Sequence, residues 1–219
     1  YVRLFTDLPF ARVVMNSLVL AVITTVVQLV TSATAAYAFS RLPFRGRTVV
    51  FSIYLATMMI PLQVLIVPLF AQLRTFGLID TYLGALLPTF ASAFGIFLLR
   101  QAMNQVPREL DEAAWVDGAS RLYTLRRVIL PLAMPGIVVV AIMTFIGAYA
   151  QQFIFALTFN SRQEFMPLPV GLFAFFGRQE VLWNELMAAS FAGILPVMIV
   201  IVFLQRFLVA GLTAGAVKQ

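Results

Sequence analysis

The sequence predicts an all-α fold, a polytopic transmembrane helical bundle of five spans, and three observations predict it. Only 11% of the 219 residues are charged while 62% are hydrophobic, against roughly a quarter charged in a typical soluble domain. The apolar residues are gathered into long charge-free runs. These cover 28 residues between Arg12 and Arg41, 26 between Arg47 and Arg74, 19 between Asp80 and Arg100, 34 between Arg127 and Arg162, and 20 between Glu185 and Arg206. A helix crosses a hydrocarbon core with about 20 residues, so each run suffices or nearly does. The mean hydropathy of +0.96 completes the case. A soluble domain this small would leave most such helices at its surface. A membrane barrel would alternate in polarity over stretches of about ten residues, and these runs do not alternate.

The elements follow in order. Residues 1–12, with Arg3, Asp7 and Arg12, form an interfacial lead-in. The first span covers 13–39, and Ser32, Ala35 and Ala36 in its second half lie on one face, small enough for close helix contact. A basic turn with Arg41, Pro43, Arg45, Gly46 and Arg47 leads to a second span over 49–72, where Pro61 and Pro68 each remove a helical hydrogen bond. The third span, 82–100, follows a turn at Gly77 and Asp80 and contains Pro88. A charged loop over 100–130 precedes the fourth span, 132–156. A polar segment with Asn160, Pro167, Pro169 and Gly177 then leads to the fifth span at 186–207. Phe165, Phe173, Phe175 and Phe176 in that segment suit an interfacial surface or one that meets an extracytoplasmic partner. The tail GLTAGAVKQ is small-residued, and its Gly211 and Gly215 lie beyond the apolar core. The chain begins at Tyr1 without a starter Met, which points to a trimmed N-terminus. No basic stretch, short apolar run and cleavage site marks a signal peptide.

Counting charges sets the orientation. With residues 1–12 outside, the outer segments carry five basic and five acidic residues and the inner ones ten basic and four acidic, so the net charge of +6 falls on one side. Basic residues favour the cytoplasmic side, which places the 41–47 turn, the 100–130 loop and the C-terminus in the cytoplasm. Spread over loops, that charge forms no compact nucleic-acid patch. With no Cys and no His, the chain has no disulfide, no thiol nucleophile and no soft metal site.

The loop reads NQVPRELDEAAWVDGASRLYTLRRVILPLAMPG. Pro107 suits the first turn of a helix, and Glu109, Asp111 and Glu112 place negative charge beside its exposed N–H groups. Gly118 permits a stop or a bend. Beyond it Leu122, Leu125 and Ile129 make an apolar stripe flanked by Arg121, Arg126 and Arg127. The pattern predicts a short helix, a glycine break and a second amphipathic helix. Leu110, Ala113, Ala114 and Trp115 need an apolar partner, either another protein or the headgroup region of the bilayer.

Glu112, Ala113 and Ala114, three residues, Gly118, nine residues, Val128, one residue, Leu130 and Pro131 together resemble the "EAA" signature of the permease subunits of binding-protein-dependent ABC importers, with Val128 where Ile is usual. Asp117 to Ala119, the closing GLTAGAVK and the order of spans are most similar to the MalG-like branch that serves sugars and oligosaccharides. The resemblance covers nearly the whole chain and implies the ABC importer permease fold, one 1–219 domain with the coupling loop inside it. Six spans are the rule in that branch, so one more is expected before Tyr1. The resemblance further implies a bacterial or archaeal cytoplasmic membrane, a homologous permease subunit, a cytoplasmic ATPase dimer that binds ATP and Mg, and an extracytoplasmic solute-binding protein. It makes Arg108, Glu109, Asp111, Glu112, Ala113, Ala114, Asp117 and Gly118 the ATPase-coupling set, with Glu112 as the anchoring carboxylate, and it implies that residues 211–219 reach the ATPase.

The chain cannot handle the fuel itself. A phosphate-cradling GxxxxGK[ST] loop needs a Lys, and the only one is Lys218. No nucleophile, base and orienter are set within the spans, so the chain reads as a non-enzymatic subunit without a cofactor of its own. The span interiors lack the ionisable groups that proton-coupled transporters often use. A self-contained secondary transporter or channel that binds Na⁺ through backbone carbonyls stays open, as does a membrane scaffold. Asn16, Gln28, Gln63, Thr144, Tyr149, Gln151 and Gln152 lie within spans. Since sugars are bound by amides and aromatic faces, Gln63, Tyr149, Gln151 and Gln152 are candidates for the substrate pathway. Hydrogen bonds between neighbouring helices would also account for them.

Overall fold

The protein is described here by a computed structural model covering residues 10–151, 162, 165–173 and 183–216, with side chains to residue 203 apart from those of Gln151 and Phe173. Its elements are helices. α1 spans Phe10–Arg41; α2, Arg47–Ala56, runs into a 3₁₀ turn at Thr57–Met59; α3 spans Leu62–Thr75. α4, Tyr82–Leu86, continues as a 3₁₀ turn through Thr89, and α5 spans Ala93–Asn104. The loop carries α6, Glu109–Val116, and α7, Arg121–Thr124, which passes through a π-helical turn at Leu125–Ile129 into α8, Leu130–Leu132. α9 spans Met134–Gln151, α10 Leu168–Phe173 and α11 Trp183–Ala216.

Among the described residues two helices, α1 and α11, are long and apolar enough to cross a membrane unaided. Three pairs qualify once a bend is allowed: α2 with α3 at 98°, α4 with α5 at 48°, and the helical stretch Arg121–Leu132 with α9 at 83°. The five expected spans are therefore accounted for when each bent pair counts as one, but three of them are not straight. The first bend falls at Ile60 and Pro61, where the proline removes a helical hydrogen bond. Pro68 stays inside α3. The second falls after Pro88, where Ser92 starts α5 afresh by accepting a hydrogen bond from the Gly95 N–H at 3.0 Å. The third, at Ala133, separates the loop from α9, so the fourth span starts at Met134 and Pro131 belongs to the turn before it.

The chain folds as two compact units. One takes Val26–Ile60 and Ala91–Met143 and so holds the loop. Its core gathers Ala36, Tyr37, Phe51, Leu99, Met103, Leu125, Ile129 and Val140. Ser32 and Ala36 are fully buried, and a Cβ on Gly95 would lie 2.8 Å from the Ser32 Oγ, so the small face of α1 does admit α5. A Cβ on Gly136 would stand 2.4 Å from that of Ala102, which brings the first turn of α9 equally close to α5. The apolar stripe of the second loop helix divides: Leu125 and Ile129 enter the core while Leu122 stays exposed.

The other unit takes in Pro61–Phe90 and Thr144–Phe203 with the start of α1, around Phe10, Val13, Ala21, Phe145, Tyr149, Leu168, Leu186 and Ala189. Polar side chains here join helices. The amide of Asn16 donates to the Met166 carbonyl at 3.1 Å and its oxygen accepts from the Tyr82 hydroxyl at 2.8 Å. Ser17 accepts from the Leu168 N–H at 2.7 Å. Outward-facing Val22, Val26, Val64, Val67, Phe191, Met198 and Val202 leave broad apolar surfaces that water would penalise and lipid does not.

Candidate functional site

Three arginines assemble the site, because helix C-termini leave carbonyls without intrahelical donors. Arg41 closes α1 and is buried. Its Nη2 donates to the carbonyls of Met103 and Val106 at 2.6 Å each, at the end of α5. The end of α1 is served in return: Arg100 Nε donates to the Phe39 carbonyl at 3.2 Å, and Arg108 Nη2 to that of Ser40 at 3.3 Å. Arg100 also lies over the Phe51 ring, 4.2 Å from its centroid. Two helix ends, each the negative pole of its dipole, are thus held together by cations that each draws from the other side.

The same Arg41 holds the loop. Its Nε is 3.3 Å from the Asp111 Oδ2, and both side chains are only 2% exposed. The contact is ionic without hydrogen-bond geometry, and neither carboxylate oxygen has a donor among the described residues. Burial pushes the Asp111 carboxyl above its ordinary value, while Arg41, Arg108 and Arg121 pull it back and Glu112 adds to the rise. A carboxyl raised in this way favours the folded state fully below the ordinary carboxylate range, and that contribution is lost as pH rises through the raised value. Hydrogen exchange of the α6 amides should accordingly quicken between those two values in wild type, and Asp111→Asn should flatten that segment of the profile.

α6 presents its other side outward. Arg108, Glu109, Glu112, Ala113, Asp117 and Gly118 are exposed, and Ala114 is half-buried. Leu110 and Val116 add apolar surface, Val116 at 87% exposure. Gly118 adopts φ +81° and turns the chain, and the Ser120 hydroxyl accepts from the Tyr123 N–H at 3.3 Å to start α7. Arg121 then folds back over Trp115, 3.3 Å from its ring centroid. Helix, glycine break and second helix appear in the predicted order. Asp111 alone of the expected coupling residues turns inward, so it positions α6 and does not form part of its outer face.

Sequence reading missed the role of Arg41, which was assigned to a turn and counted as one more inner charge. The available signal was Ser40 and Arg41 ending a charge-free run just before Pro43. Among the pathway candidates, Gln63 is exposed in the first turn of α3. Tyr149 is buried and its hydroxyl donates to the Gly193 carbonyl at 2.7 Å, joining α9 to α11. The Gln151 side chain, Gln152, most of the 157–184 segment and the side chains of the 211–219 tail lie outside the described residues. Among the described residues no group of His, Cys, Asp and Glu could hold a metal ion.

Comparison with known proteins matches residues 28–213 to the model of the binding-protein-dependent transport system inner membrane component. The chain is 34% identical over its whole length, and over 77% of the relative, to the sulfoquinovosyl glycerol transport system permease protein SmoH of Agrobacterium fabrum. It is 37% identical to the trehalose/maltose transport system permease protein MalG of Thermococcus litoralis, over its whole length and 80% of that protein. A bacterial ABC transporter that imports the acidic polysaccharide alginate superposes with a TM-score of 0.75 at 27% identity, covering 90% of this chain and 74% of the other. The MetNI methionine ABC transporter shares the fold at a TM-score of 0.68 and 17% identity, over 92% and 95% of the two chains.

Proposed function

Since the chain belongs to the family of binding-protein-dependent transport system inner membrane components, as a membrane-spanning subunit of an ABC importer, we propose that it forms half of a translocation pathway for a sugar or related polyol and is driven through α6 by a separate ATPase. The observation that carries this reading is the outer face of α6, with Glu109, Glu112, Ala113 and Val116 projecting from a helix seated on the buried pair of Arg41 and Asp111. An exposed helix anchored to the ends of two longer helices passes a push to them, provided that both states of the partner engage it differently.

In this reading the ATPase dimer binds ATP and Mg and docks on α6, with Glu112 as the anchoring carboxylate and Gly118 permitting the turn. A homologous permease subunit completes the pathway, and an extracytoplasmic binding protein delivers solute. The protein then sits in a bacterial or archaeal cytoplasmic membrane with the loop and C-terminus inside, where the excess of basic residues belongs. The sugar class rests on the relatives whose names include sulfoquinovosyl glycerol and trehalose or maltose. Gln63 remains a candidate for the pathway because it is exposed beside the break between α2 and α3.

Glu112→Lys tests the docking role. It is exposed, so membrane insertion should be unchanged while uptake of the cognate sugar falls to background and the ATPase no longer co-purifies. Wild-type uptake by that variant would remove α6 from the coupling role.

A further inference from the structure

Between the turn from α1 to α2 and the side of α6 that carries Asp111, Glu112 and Trp115 lies a cavity of about 820 Å³, within the range of small-molecule sites. Its charged lining is unbalanced. Arg41 is matched by Asp111, which leaves Arg45, Arg47, Arg108 and Arg121 facing Glu112 alone. Arg45 is exposed and makes no hydrogen bond or ion pair among the described residues, and Arg47 contributes one long bond, 3.4 Å, to the Leu42 carbonyl. The indole N–H of Trp115 is buried behind this wall and faces the Tyr37 hydroxyl. The mouth is apolar. Val49 borders the cavity, and Val49, Val50 and Ile53 run up α2 from it at 62%, 49% and 63% exposure.

We propose that this cavity seats the phosphodiester headgroup of an anionic phospholipid, with an acyl chain lying along Val49, Val50 and Ile53 of α2. Guanidinium groups recognise phosphate oxygens through paired N–H donors, and basic pockets at the membrane surface collect acidic headgroups. The apolar strip rising from the basic cavity selects a lipid over a free anion, which has nothing to place there. The position gives the lipid a consequence: it touches both the α1 to α2 turn and α6, Glu112 included, so bilayer composition acts on the loop.

The test uses protein purified from membranes with whatever subunits stay bound, exchanged into vesicles of equal phosphatidylglycerol and phosphatidylcholine, washed in mild detergent and weighed by native mass spectrometry. Wild type should retain phosphatidylglycerol about tenfold over phosphatidylcholine, and Arg45→Glu with Arg47→Gln should abolish that preference. Arg45→Gln alone, at an exposed position that does not endanger folding, should reduce it several-fold. Equal retention of the two lipids by wild type, or an unchanged preference in the Arg45 variants, overturns the proposal. So does displacement of the lipid by millimolar inorganic phosphate, which would assign the cavity to a free anion. A wild-type complex that is free of lipid while its ATPase stays bound also overturns it, because an acidic group of the partner would then fill the cavity.

Discussion

Arg41→Met is expected to release α6 from the ends of α1 and α5 and to cost about 3–5 kcal/mol, because it strands the buried Asp111 without its cation and strips the Met103 and Val106 carbonyls of their donor. Asp111→Asn should cost much less. Burial already works against the Asp111 charge, and Arg41 would keep both carbonyls. Denaturation midpoints of the two variants check the order, and equal losses would mean that the ion pair and not the helix-end hydrogen bonds supports the site. Function should divide in the same way. On the proposed coupling role of α6, an importer assembled with Arg41→Met should still show ATP hydrolysis by its ATPase while uptake is lost, because α6 would no longer be tied to the spans.

Gly136→Leu should be nearly as damaging. Even a methyl group there would stand 2.4 Å from the Ala102 Cβ, so α9 must move away from α5 at the point where it leaves the loop. Overpacking of this kind costs about 1–3 kcal/mol, and the displacement falls where the loop helices meet the fourth span, the joint through which the proposed coupling would have to pass. Uptake should be lost while surface expression persists. Gly136→Ala should be milder, and adding Ala102→Gly should restore part of its loss, although the new glycine itself costs about 1 kcal/mol in a helix. No rescue would show that α9 and α5 are not in functional contact there.

The spans were legible because a charge inside hydrocarbon costs several kcal/mol, which makes the limits of each charge-free run strong signals. The loop was legible for a local reason: acidic residues in a first turn, a glycine break and a resumed apolar period are all written within a few positions. Bends were only partly so. Pro61 coincides with a break of 98°, Pro68 sits inside an unbroken helix, and the break near Pro88 comes a turn later, at Ser92. A proline forbids one hydrogen bond, but neighbouring helices decide whether the axis turns. The anchor of the loop was not legible. Arg41 meets residues 62, 65 and 70 positions away, and pairing at that range is set by how α1 and α5 pack, which no local pattern encodes. The inward turn of Asp111 was not legible for the same reason. On a helix with three acidic residues in its first turn, packing and not composition selects the one that turns inward.

The break between α2 and α3 has a consequence for the insulation of the bilayer. α3 starts at Leu62 behind Pro61 with no side chain capping its first N–H groups, midway along a charge-free run, and Met59 before it is 84% exposed. Hydrocarbon offers no acceptor to such groups, so an irregular backbone is tolerated at membrane depth only against protein or beside water. The backbone between Ile60 and Gln63 therefore needs protein or water beside it, even though Val64 and Val67 further along α3 suit lipid, and the barrier that keeps ions on one side of the membrane has to be completed at that point by something other than lipid.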